Sequence, residues 1–219
     1  MIDCVAFDFD GVLVESNAGK RDAYFEVFSD LPGASSDVIR TVLEKNSGAD
    51  RFGVINAVLD AVTIQSGPIW SSRAALTEQL ANRYNDICEQ LAANCPEVHG
   101  ASAMLTELSD IVPLYIVSLT PESPLRRIVV CRGWARHFHG VLGLPTSKAE
   151  HLRNILVQQT ISPDELLFVG DHDGDLKAAR SVGCRFIGLQ NEFNDFQSGD
   201  FPIVSAVPEV LELVRSVRC

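Results

Sequence analysis

Short, nearly continuous apolar runs separated by helical patterns constrain this chain more than any other feature. They are residues 2–9 (Ile-Asp-Cys-Val-Ala-Phe-Asp-Phe), Leu114–Ser118, Gly140–Leu144, Leu166–Gly170 and Arg185–Leu189, with Phe201–Val204 as a short edge strand. Apolar runs of this length without polar alternation suit strands buried on both faces. Interleaved with helices, they predict an α/β fold, a doubly wound parallel sheet covered on both sides. The helices carry their own punctuation. Thr120 reads as the N-cap of a helix over 121–132, with Pro121 at its first position and Gly133 as the stop. Ser147-Lys148-Ala149-Glu150 reads as a capping box opening the next helix. A further helix, from about 175, follows an Asp-rich turn and ends at Gly183.

Residues 16–95 break this rhythm. They carry no strand pattern and at least three helical periodicities. Val54, Ile55, Val58, Leu59 and Val62 share one helical face, as do Leu80, Tyr84, Ile87, Cys88 and Leu91. Turn signals at Leu31-Pro32-Gly33, Ser47-Gly48 and Ser66-Gly67-Pro68 divide the stretch. The organisation predicted is a core made of 1–15 and 96–219, with an all-helical insertion at 16–95.

Charge narrows the function classes. The net charge is −11 and the Lys and Arg residues are scattered, which argues against nucleic acid, since that needs a basic face. No apolar stretch is long enough for a membrane span, and no basic leader precedes the first strand, so a cytoplasmic protein is expected. Cys4, Cys88, Cys95, Cys131, Cys184 and Cys219 include no CxxC pair and read as reduced structural thiols.

Four features fall just past the carboxyl ends of strands or at a helix start, where open parallel sheets place their sites. Asp8-Phe9-Asp10-Gly11-Val12-Leu13 closes the first strand, with two carboxylates two residues apart on a turn that Gly11 permits. Ser118 ends the second strand. Lys148 lies in the first turn of its helix, where a cation opposes the macrodipole and a nearby anion is expected. Gly170-Asp171-His172-Asp173-Gly174-Asp175 ends the strand Leu166–Val169.

These residue types supply what phosphoryl transfer to a carboxylate needs. Carboxylates repel a phosphate, so a divalent cation belongs between them. Asp8 and Asp171 side chains and the Asp10 carbonyl are oxygen ligands that suit Mg²⁺ better than zinc. Asp8 is the nucleophile that would form an aspartyl phosphate, and Asp10 the general acid and base. Ser118, Lys148 and backbone amides after Asp8, Gly11 among them, would hold the phosphoryl oxygens.

With those residues in order, the chain resembles the haloacid dehalogenase superfamily in its capped phosphatase branch, over nearly its whole length. The four features match the superfamily's four motifs, with Asp171 and Asp175 as the acids of the fourth and Asp173 outside the pattern. The resemblance implies a Rossmann-like core and a helical cap inserted after the first motif. Only 30 positions separate Ser118 from Lys148, which leaves no room for a cap there. It further implies a small phosphorylated metabolite as substrate. Dehalogenases need no second acid and phosphonatases carry Ala in its place, so Asp10 argues against both. A phosphosugar mutase shares both acids, but its usual His on the first cap helix is missing from Asn17–Tyr24. An inactive phosphate-sensing or interaction module is the alternative of another class.

Other features carry less. His137-Phe138-His139 has no evident carboxylate partner for a metal, and His172 admits contact with ligand or solvent. Asp173 or Asp175 suits a helix cap. Lys20 and Arg51, in the insertion, are the cations placed to meet an anionic substrate. Nothing in the sequence sets the oligomeric state.

Overall fold

The computed structural model describes residues 1–46, 49–66, 72–194, 196, 197 and 199–218. Strands β1 (Cys4–Phe7), β2 (Leu114–Pro121), β3 (Gly140–Leu144), β4 (Leu166–Gly170), β5 (Arg185–Leu189) and β6 (Ile203–Val204) form one sheet, parallel throughout. Its order is β3-β2-β1-β4-β5-β6. From β1 the chain builds outward through β2 and β3, then returns to the other side of β1 for β4 to β6. The change of direction at β1 opens a crevice at the carboxyl ends of the strands.

The apolar runs split by the pleat of the strands. Val5, Phe7, Ile116, Leu167 and Val169 point to one face, against Met104, Leu105 and Leu108 of α5 (Ala101–Ser109). That face also takes α6 (Glu122–Cys131) and α9 (Pro208–Arg218), through Ile128 and Val210. Cys4, Ala6, Tyr115, Val117 and Phe168 point the other way, against α7 (Lys148–Gln159) and α8 (Asp173–Val182). Burying each such Phe or Leu side chain contributes about 1.5–3 kcal/mol. The doubly wound α/β architecture expected from the sequence is therefore what forms.

Some boundaries moved, each for a physical reason. β1 stops at Phe7 because the Phe9 carbonyl accepts from the amides of Leu13 and Val14, turning the chain out of the sheet. Gly11 sits in that turn at φ 76°, in the left-handed region that glycine enters without a Cβ penalty. β2 runs on to Pro121, which pairs with Leu144 after a break in register. Thr120 is consequently not the cap of α6: Pro121 holds that position without a side-chain bond. Ser147 does cap α7, its hydroxyl accepting from the Glu150 amide at 3.3 Å. Gly183, left-handed at φ 82°, ends α8.

The chain divides into two compact units, Met1–Ser16 with Ala92–Cys219, and Asn17–Leu91. The second holds α1 (Asn17–Val27), α2 (Ser36–Lys45), α3 (Arg51–Ser66) and most of α4 (Arg73–Asn94). Its core gathers Val54, Ile55, Val58, Leu59 and Val62 of α3 with Val27, Phe28, Ile39 and Leu80. Tyr24 and Tyr84 stack at 4.4 Å between ring centres. The division falls inside α4 rather than after it, because Ala92 is already part of the first unit's core. Gly33 makes the turn expected at Leu31-Pro32-Gly33, at φ 85°. The turns expected at Ser47-Gly48 and Gly67-Pro68 lie outside the described residues, and Ser66 closes α3.

Among the described residues no helix is long and apolar enough to cross a membrane. Cys4, Cys88, Cys95, Cys131 and Cys184 are free thiols, while Cys219 lies outside the described residues. Burial pushes the Cys4 thiol up to about 12 and that of Cys184 to about 11, so neither is a thiolate at neutral pH.

Candidate active site

The sheet register determines what meets at the crevice. Phe7 pairs with Val169 and with Ile116, so Asp8, Asp171 and Ser118 emerge at neighbouring strand ends. The Asp8 amide continues the β1–β4 ladder by donating to the Val169 carbonyl at 2.8 Å. Asp8 Oδ1 accepts from the Phe9 amide at 2.7 Å, and Lys148 Nζ lies 3.0 Å from the same oxygen. Lys148 also donates to Asp175 Oδ1 at 2.5 Å. Asp8, Asp171, Asp175, Ser118 and Lys148 are all buried.

Three carboxylates thus crowd one place. Asp8, Asp171 and Asp175 each present an oxygen within 4.8 Å of the others. Burial pushes the Asp8 carboxyl well above the usual carboxylate range; Lys148 opposes this, and Asp175, Asp171 and Asp10 add to it. Burial works against the Lys148 ammonium too, but Asp175 and Asp8 outweigh it and raise its pKa, so the lysine stays charged. With one ammonium shared among three buried carboxyl groups, full ionisation of all three would leave negative charge in excess. Hard oxygen donors, close together and short of positive charge, are a donor set that fits a divalent cation.

Asp175 is the anchor of this group. It is wholly buried at the third position of α8, and its Oδ2 accepts from the His172 amide at 3.2 Å. His172 in turn caps the helix, its Nδ1 accepting from the Gly174 amide at 3.0 Å. Neither Asp173 nor Asp175 is therefore the cap. Asp173 lies in the first turn of α8, and the histidine has a structural part the sequence left open. Gly170 leaves no room for more: a Cβ there would sit 2.4 Å from Asp175 Cβ and 2.6 Å from its Cγ. Because both Asp175 oxygens are engaged, it cannot move aside cheaply. Gly170→Ala is expected to displace Asp175 and Lys148 and to cost about 1–3 kcal/mol. A melting temperature lowered by roughly 2–10 °C checks this, and an unchanged melt contradicts it.

Asp10 occupies different surroundings on the same turn. It is partly exposed, and two hydroxyls hold it: Ser16 donates to Oδ1 at 2.6 Å and Thr120 to Oδ2 at 3.0 Å. Ser118 Oγ accepts from the Thr120 amide at 3.1 Å, so the last residues of β2 present both hydroxyls close together. The Gly11 amide, predicted for a phosphate cradle, donates instead to the Val14 carbonyl at 2.8 Å. That corrects its part: Gly11 makes the turn. Lys20 on α1 and Arg51 at the start of α3 belong to the helical unit. Tyr84 donates to the Lys20 backbone carbonyl at 3.3 Å.

Of the two histidines 137 and 139, His137 has a structural part. His137 is buried with Nδ1 3.1 Å from Ser109 Oγ, while Arg136 Nε donates to its Nε2 at 3.3 Å. Burial first, then Arg136, lowers its pKa against an opposing pull from Asp110.

Residues 5–189 match the model of the haloacid dehalogenase-like hydrolase family. The chain belongs to this family. It is 27% identical over 225 residues to a phosphoglycolate phosphatase of Vibrio parahaemolyticus, covering 97% of this chain and 96% of that one. The fold of this haloacid dehalogenase-like hydrolase is also that of two solved structures. One is a predicted phosphoglycolate phosphatase from Haemophilus somnus, with TM-score 0.76, 21% identity, and 97% and 98% of the two chains covered. The other is CbbY from Rhodobacter sphaeroides in complex with phosphate, with TM-score 0.74, 18% identity, and 96% of each chain covered.

Sequence reasoning missed four residues here. Ser16 and Thr120 bind Asp10, and Asn191 and Asn194 bind Asp171. Only one signal pointed to the asparagines: they follow β5 directly, at the same end of the sheet as the motifs.

Proposed function

We propose that this hydrolase is a Mg²⁺-dependent phosphatase of a small phosphorylated metabolite, working through an aspartyl phosphate on Asp8. The observation that carries the reading is the contrast between two carboxylates on one turn. Asp8 is buried with Lys148 on Oδ1; Asp10 is partly exposed and tethered by two hydroxyls. Neighbouring acids in different environments take different roles.

In this reading Oδ1 of Asp8 is held by the Phe9 amide and Lys148, which sets the carboxylate plane and leaves Oδ2 to attack phosphorus. The phosphorus–oxygen bond to the leaving group breaks as that to Asp8 forms. Asp10, oriented by Ser16 and Thr120, protonates the leaving oxygen and then takes a proton from the water that hydrolyses the intermediate. Ser118 and Lys148 hold phosphoryl oxygens, and Asp175 keeps Lys148 in place. The Asp8 and Asp171 side chains and the Asp10 carbonyl would hold Mg²⁺. When bound, that ion offsets the charge of phosphate against carboxylates.

The helical unit is the cap in this reading and carries substrate contacts. Arg51 is its first candidate: among the described residues its Nε is a buried side-chain atom with no hydrogen-bond partner. The likeness to phosphoglycolate phosphatases supports a small phosphorylated acid, and a cation such as Arg51 suits its carboxylate.

Release of inorganic phosphate from a small aryl phosphate tests the reaction. Turnover is expected with Mg²⁺, to vanish in excess chelator and to return when Mg²⁺ is restored. Equal turnover with and without chelator would sink the metal-dependent reading.

A further inference from the structure

The loop after β5 is built around two side-chain amides that grip Asp171. Asn194 Nδ2 donates to the Asp171 backbone carbonyl at 2.9 Å and to the Leu189 carbonyl at 2.8 Å, stitching the exit of β4 to that of β5. Asn191 Nδ2 donates to Asp171 Oδ2 at 2.8 Å. The loop holds these amides in place. Asn191 Oδ1 accepts from the Phe193 amide at 2.8 Å, and the Asn191 amide reaches Asn194 Oδ1 at 3.4 Å. Gln190 donates from its side chain to the Asn194 carbonyl at 3.2 Å and from its backbone to Val204 in β6 at 2.8 Å.

Hydrogen-bond chemistry fixes which way Asn191 faces. A carboxylate only accepts, and the Phe193 amide only donates, so the amide has one orientation that satisfies both. Neither asparagine has an acid, base or nucleophile to offer. What they supply is geometry.

We propose that Asn191 and Asn194 are positioning residues for Asp171. Asn194 sets the main chain from which the carboxylate springs, and Asn191 sets the plane of the carboxylate itself. Together they preset Asp171 to hold the divalent cation. The inference rests on the metal-dependent reading above and deepens it. Partners of a ligating carboxylate are worth about 10–100-fold in metal affinity, because an unheld ligand must be ordered on binding.

Calorimetric titration of purified protein with Mg²⁺, without substrate, tests this. Wild type, Asn191→Ala, Asn191→Ser and Asp171→Asn are compared, with melts in chelator as a check on folding. Asn191→Ala is expected to bind Mg²⁺ about tenfold or more weakly, and Asn191→Ser, which keeps a shorter donor, to fall between it and wild type. Turnover by Asn191→Ala is expected to recover toward wild type as Mg²⁺ is raised, a split that general damage to the fold does not produce. If Asn191→Ala binds Mg²⁺ as wild type does while Asp171→Asn has lost it, the positioning inference is overturned and the metal reading stands. If Asp171→Asn binds as tightly as wild type, the metal reading falls and takes the inference with it. Should Asn191→Ala melt early in chelator, the comparison of Asn191→Ser with wild type decides by the same criterion.

Discussion

Asp8→Asn is expected to lower phosphate release by on the order of 10⁴-fold or more while leaving the fold intact. The amide keeps the shape of the carboxylate but is no nucleophile toward phosphorus. Structure and electrostatics separate this loss from unfolding. Burial holds the Asp8 carboxyl well above its ordinary range, with Lys148 opposing and the neighbouring acids Asp175, Asp171 and Asp10 adding, so the fold disfavours its ionised form. A group whose pKa rises on folding contributes stability below its unfolded value of about 4, and that contribution is lost as pH rises through the raised value. Chelated wild type should therefore lose this contribution to stability as pH climbs from about 4 upward, and Asp8→Asn should not show that component. Melts across that range, beside phosphate-release assays, check both halves. Wild-type turnover by Asp8→Asn would remove the nucleophile from the mechanism.

Asp10→Asn carries the second largest expected effect, about 10²–10⁴-fold in rate. Its reach differs from that of Asp8. Asp10 sits beyond the ion pair with Lys148, on a turn where Ser16 and Thr120 donate to its two oxygens. In the proposed mechanism, removing the acid leaves the nucleophile and the clamp in place, so the first bond to phosphorus still forms slowly or the intermediate persists. Mass spectrometry of acid-quenched protein therefore either shows phosphate on Asp8 or shows none with turnover depressed. Turnover equal to wild type would deny Asp10 any proton transfer. The same variant keeps the backbone carbonyl proposed for Mg²⁺, so metal affinity is expected to change far less than rate.

The sheet was legible because its signals are local. β3, β4 and β5 begin and end where apolar runs and turn residues place them, and Gly183 stops α8 as a left-handed residue does. The order of Asp8, Asp10, Ser118, Lys148 and Asp171 along the chain, each at a strand end or helix start, was also readable from the sequence alone. The α/β architecture then brings Asp8, Asp171 and Ser118 to neighbouring strand ends, because parallel strands in this register finish side by side. What the chain could not announce were partners chosen across long sequence distances. Thr120 reads locally as a helix cap, yet β2 runs past it and its hydroxyl turns to Asp10, 110 positions away. The Gly11 amide looked available for phosphate until the turn closed on Val14. His172, not Asp173 or Asp175, caps α8, while Asp175 turns inward to Lys148 and to the His172 amide. Asn191 and Asn194 reach Asp171 only because β5 lies beside β4. Periodicity and capping are written residue by residue. The choice among several hydrogen-bond partners is a competition that only the packed sheet decides.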